Sequence, residues 1–103
     1  MWELTGVQPL EPPDYYHLQA AIGWLELGNP REATAELELI NPRHRHHPAV
    51  LDARWEIHAA AKNWDACLDV ARTEIEHAPD RVDGWVHRAY ALRSVPQGGL
   101  QQA

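Results

Sequence analysis

Between Asp65 and Pro79 the chain sets Cys67, Ala71, Ile75 and Ala78 at i, i+4, i+8 and i+11. That spacing keeps all four on one side of a 3.6-residue helix and puts small side chains where a second helix can come close. A stripe of this kind needs a partner, and Pro79 prevents the helix from supplying one by simple extension. The partner is found by displacement. Thirty-four residues back, Cys67 becomes Ala33, Ala71 becomes Leu37 and Glu74 becomes Ile40; the same step forward takes Leu51 to Trp85, Arg54 to Arg88 and Trp55 to Ala89. The chain repeats itself, and each period has room for two helices.

A 34-residue period with two helices per unit is the tetratricopeptide signature, patterned as W-x2-L-G-x2-Y, then A-x3-F, then P. The sequence resembles that family over residues 14–103, read as units 14–47, 48–81 and a partial unit 82–103. Cys67, Ala71 and Pro79 match the second-helix slots of the second unit, and Trp85, Ala89 and Leu92 the first-helix slots of the third. It departs at Arg54 and Arg88, where the family prefers leucine, at His58, where it prefers tyrosine, and at Pro42, which closes a helix early. The resemblance implies an all-α fold, a right-handed α-solenoid of about two and a half antiparallel helix pairs. It also implies a concave surface, lined by the first helix of each pair, that holds another polypeptide. On that analogy the partner-binding residues are Tyr15, Leu18, Ile22, Leu25 and Glu26 in the first unit, Asp52, Glu56 and Ala59 in the second, and Val86, Tyr90 and Arg93 in the third.

Taken in order, residues 1–13 form an arm. Pro9, Pro12 and Pro13 block a helix there, while Trp2, Leu4, Val7 and Leu10 offer unpatterned apolar side chains, suited to lying across the first helix pair or to filling a groove. Five helices are expected near 14–27, 30–40, 48–61, 64–77 and 82–94. Asp14, Asn29, Asn63 and Asp80 stand at cap positions, Pro30 and Pro48 at first helical positions, and Glu32 could close a capping box with Asn29. Pro42 to Pro48 is a histidine loop: His44, His46 and His47 could ligate a transition metal, but Arg43 and Arg45 repel cations and no carboxylate or thiolate lies in the segment. A solvated connection with no resident metal is the expectation. The tail beyond Val95 reads as a loop and the first turn of a sixth helix, with Ala103 in the small-residue slot.

Fifteen Asp and Glu against nine Lys and Arg give a formal charge of −6, which argues against a grip on phosphate backbones, so no nucleic acid is expected. No apolar run approaches 18 residues and residues 1–13 are not a signal peptide, so no membrane partner is expected. One cysteine excludes a disulfide framework, and Cys67 is expected as a packing residue of a cytoplasmic protein. The seven histidines stand at no spacing that serves a nucleophile and base, and Gly98-Gly99 makes no phosphate loop, so neither enzyme nor cofactor is expected.

Arg54 and Arg88 fall at one repeat phase on an inward-tending face. Each is expected to reach solvent or pair with an acid such as Glu56, Asp69 or Glu74; the functional alternative is a hook for a ligand carboxylate. Trp85, Ala89 and Leu92 have no complete helix behind them in sequence, which predicts a homodimer through this open end or by exchange of the tail. A self-assembling repeat subunit, or a fragment of a longer array, is therefore the alternative to a peptide-binding module.

Overall fold

The computed structural model describes residues 8–95. Five α-helices follow in order: α1 (Asp14–Glu26), α2 (Pro30–Glu38), α3 (Pro48–Ala60), α4 (Trp64–His77) and α5 (Val82–Ser94), with a 3-10 turn at Pro42–His44. Among the described residues there is no strand, and no helix is long and apolar enough to cross a membrane. The expected arm residues Trp2, Leu4 and Val7 and the expected sixth-helix turn with Ala103 lie outside the described residues.

Helix ends follow local chemistry. Pro30 and Pro48 open α2 and α3 where a missing N–H costs nothing. α1 and α3 end alike, with Gly28 at φ 82° and Lys62 at φ 57°. Gly28 and Asn29 donate to the carbonyls of Leu25 and Trp24, and Lys62 and Asn63 to those of Ala59 and His58, which closes both last turns. Asn63 Oδ1 then accepts the Ala66 N–H at 3.3 Å and starts α4. Three expected caps differ. Pro13 precedes α1, and Asp14 is its buried first residue. Asn29 precedes α2 but its side chain caps nothing. Arg81 rather than Asp80 precedes α5, and it pairs with Asp83 in the first turn.

Sequential neighbours pack on one another, and α1 also touches α3. The period survives in the second helices: Ala33 and Cys67, Leu37 and Ala71, and Ile40 and Glu74 are all buried. One core cluster joins Leu18, Ala21, Ala33, Leu37, Ile40, Val50, Ala53 and Ile57, with Leu10 of the arm packed against it. A second joins Leu51, Trp55, Cys67, Val70 and Ala91. α3 serves both clusters from opposite faces. Cys67 is fully buried with Sγ 3.6 Å from the Trp55 carbonyl oxygen, and burial pushes its thiol up to about 11, so it packs rather than reacts.

The histidine loop is not a plain solvated connection. His44 Nδ1 donates to Asp14 Oδ2 at 2.7 Å, and Asn41 N–H donates to Asp14 Oδ1 at 3.1 Å. His47 Nδ1 accepts the Ala49 N–H at 3.1 Å and caps α3, while its Nε2 donates to the Gln8 carbonyl at 2.6 Å. The His46 ring sits 4.3 Å from that of His77 on α4. Three imidazoles are committed to three different elements, which ties the arm, α1 and α4 to one short turn. Arg54 lies 4.0 Å from an acid, Glu38 rather than Glu56, Asp69 or Glu74, and Arg88 reaches solvent, the other arrangement expected.

α5 corrects the expected phase of the third unit. Its buried residues are Gly84 and Ala91, with His87 on the same stripe, whereas Trp85 and Ala89 are exposed and Leu92 half-buried. One period earlier, Leu51 and Trp55 are buried beneath α4, the helix that follows; among the described residues no helix follows α5. The contact of α5 with α4 is tight. A Cβ on Gly84 would lie 2.9 Å from Ile75 Cγ1, 3.0 Å from Glu74 Cβ and 3.1 Å from the Ile75 backbone nitrogen. In Gly84→Ala the helix-propensity gain of about 1 kcal/mol is outweighed by overpacking of about 1–3 kcal/mol, because Glu74 Cβ and the Ile75 backbone cannot swing aside. Urea unfolding of this variant is expected to show a lower midpoint at unchanged slope; equal or greater stability would mean that the helices can separate freely.

Candidate functional site

Two features meet on α5. The first is a groove of about 590 Å3 lined by Leu25, Trp55, Glu56, Ala59, Ala60, Trp64, Val86, His87 and Tyr90. Its floor is aromatic. The His87 ring stacks on Trp55 at 4.2 Å with 9° between planes, Tyr90 meets Trp55 edge-on at 5.7 Å, and Trp64 lies 5.8 Å from Tyr90. Val86 and Tyr90 stand about half exposed at the rim. Glu56 is the one carboxylate of the lining, which contains no lysine or arginine.

The second feature lies behind that floor. Asp52 of α3, Glu74 of α4 and His87 of α5 bring one ligand atom each to within 4.8 Å of one another. His87 Nδ1 donates to Glu74 Oε1 at 2.9 Å, and Glu74 is buried. Asp52 Oδ1 and Trp55 Nε1, one turn apart on α3, are sealed from solvent with no hydrogen-bond partner among the described residues. Such orphaned atoms are few in a folded chain.

Burial and the neighbouring carboxylates of Glu74 and Asp83 push the Asp52 carboxyl up to about 7, against the attraction of His87. Burial alone would pull the His87 imidazole down; its hydrogen bond to Glu74 and the nearby negative charges of Glu74, Asp52 and Glu56 win, and it is raised. Asp14 behaves oppositely. The His44 hydrogen bond lowers it despite burial.

Of the residues expected to bind a partner, Leu25, Glu56, Ala59, Val86 and Tyr90 come together in the groove. Tyr15, Ile22, Glu26 and Arg93 are exposed outside its lining. Leu18 is not on the surface: it is 6% exposed in the first core cluster. Asp52 belongs to the carboxylate and histidine cluster rather than to the groove. Trp55, Trp64 and His87 line the groove although they are not among the residues expected to bind a partner. Glu74 and His87 were likewise not expected as site residues. A signal for the cluster did exist in the repeat. One period earlier, Asp52, Glu74 and His87 correspond to Leu18, Ile40 and Ala53, three buried apolar residues. Ionisable side chains thus stand at three converging positions whose counterparts one period earlier are core residues. Comparison with protein-family models, curated proteins and solved structures finds no match to this chain.

The shifts fix a pH dependence. Asp52 titrates higher folded than its ordinary 3.8, so the folded chain binds more protons between about pH 4 and 7 and loses stability as pH rises through that window. His87, also raised, loses its stabilising contribution as pH rises through its folded value; Asp14, lowered, loses its own as pH falls through the carboxylate range. The thermal midpoint is expected to peak on the acid side of neutrality. Asp52→Asn is expected to flatten the alkaline limb and to be the more stable protein at pH 8, the difference closing toward pH 4. An unchanged limb would show that Asp52 does not titrate in this window.

Proposed function

We propose that the chain is a non-enzymatic peptide-binding module of the cytoplasm, built as a tetratricopeptide-like solenoid, whose groove between α3 and α5 takes a segment carrying an apolar anchor beside a lysine or arginine. The observation that carries this reading is the groove itself: an aromatic floor, exposed aliphatic and aromatic rims, and a single acid, Glu56, with no lysine or arginine. Aromatic faces attract a cation by about 0.5–2 kcal/mol, and a rim carboxylate adds steering and specificity. The groove draws on the first helices of successive pairs, as the repeat reading requires, and the shared burial of residues one period apart supports that reading. Displayed random peptides selected on the intact chain are expected to converge on aliphatic and basic residues. Binding should weaken by about tenfold in Tyr90→Ala, the scale of one lost contact in a partner site, and fall with rising salt in the parent but not in Glu56→Gln. Failure to enrich any motif, or binding indifferent to both substitutions, would overturn the proposal.

A second reading is self-association. The α5 face of Trp85, Val86 and Ala89 is exposed, and the residues one period before Trp85 and Ala89, Leu51 and Trp55, are buried by the next helix. Contiguous apolar exposure of that kind marks contact surfaces. Light scattering is expected to give a homodimer that Leu92→Glu dissociates; a mass of one chain at every concentration would remove this reading.

A further inference from the structure

We propose that Asp52, Glu74 and His87 form a binding site for a divalent transition-metal cation of the zinc class. Three helices each deliver one donor, two carboxylate oxygens and one imidazole nitrogen, all within 4.8 Å of one another. Carboxylate and imidazole together suit zinc and its neighbours, and three protein ligands leave a position for water or a further ligand.

Three independent observations support an occupant. Asp52 Oδ1 is shut off from solvent and has no partner among the described residues, an arrangement that a cation would satisfy. Glu74 is buried, and among the described residues no lysine or arginine pairs with Glu74 or Asp52, so two acids stand together with only an imidazole for company. All three occupy slots whose counterparts one period earlier are the buried Leu18, Ile40 and Ala53. A plain core would be restored by apolar side chains at these positions, which are usually at least as stable as a buried charged group.

A cavity of about 430 Å3 reaches Glu74 and is lined by Asp80, Asp83, His46 and His77, with Arg81 held on Asp83. Its acids favour a cation. This inference does not depend on the peptide reading.

The intact chain, stripped with chelator and titrated with Zn2+ by calorimetry at pH 7.5, is expected to bind one equivalent, and Co2+ to give the visible absorption of an ordered nitrogen and oxygen site. Asp52→Asn and His87→Gln should each weaken zinc by about tenfold or more, whereas His44→Ala, in the histidine loop, should not. Asp52→Asn preserves shape, and its folding is checked by circular dichroism; His87→Gln provides a second ligand deletion. The proposal is overturned by three outcomes: no zinc uptake at micromolar concentration, uptake unchanged in both ligand variants, or uptake lost in His44→Ala.

Discussion

The distance between α4 and α5 sets most of what this molecule can do. Gly84 lets the helices close until a methyl group no longer fits against Ile75 and Glu74, and Ala91 continues the contact two turns on. His87 stands between these two small residues on the same stripe. It is therefore driven against Glu74, at 2.9 Å, and flat onto Trp55, at 4.2 Å. A larger residue at 84 would lift α5 and separate both pairs. Packing and site are thus one interaction, because the same close approach that buries Ala91 also desolvates the carboxylates that His87 meets.

The first half of the chain is held together differently. Its core is apolar, from Leu18 and Ala21 through Leu37 and Ile40 to Val50 and Ile57, and its polar contacts run along the outside through histidines. His17 meets Glu36 at 3.1 Å across α1 and α2, His44 holds Asp14, and His47 caps α3 while holding the Gln8 carbonyl. Each histidine bridges segments far apart in sequence. The effect is to clamp the arm and α1 onto the turn that launches α3, so that the groove wall supplied by Leu25 is fixed relative to Trp55 and Ala59. The acidic cluster and the histidine clasp thereby occupy separate halves, and the two groups of imidazoles answer to different partners.

Much of this fold was legible because its punctuation is local. Prolines at 30 and 48, Gly28 and Asn63 act within one turn of where they stand, and helix ends fell within two residues of expectation. The phase of α5 was harder to read. Trp85, Val86, Ala89, Tyr90 and Leu92 are apolar on several sides of the helix, so size and hydropathy pointed to Trp85 and Leu92, whereas the tight contact selected Gly84 and Ala91 for what they lack. Asp14 misled in another way, since an acid after two prolines looks like a cap until a histidine thirty residues later claims it. The cluster was hidden by distance along the chain. No spacing links 52, 74 and 87; only the period does, by setting an acid or imidazole where an equivalent unit buries leucine, isoleucine or alanine.

His87 faces both candidate sites, and that arrangement has a thermodynamic consequence. One side of its ring forms the groove floor with Trp55, and its Nδ1 edge donates to Glu74. Rotating the imidazole to meet a different partner behind the floor changes the surface in front of it, and wedging a side chain against Tyr90 or Trp64 restricts how the ring can turn. If two ligands prefer different ring orientations, each alters the affinity of the other by the same factor, whatever the size of that factor. The element that would carry such coupling is short: one ring, stacked on one indole, on a helix whose position is already fixed by Gly84. Coupling over so few atoms requires no movement of the helices, and it would vanish if residue 87 could not both stack on Trp55 and donate to Glu74.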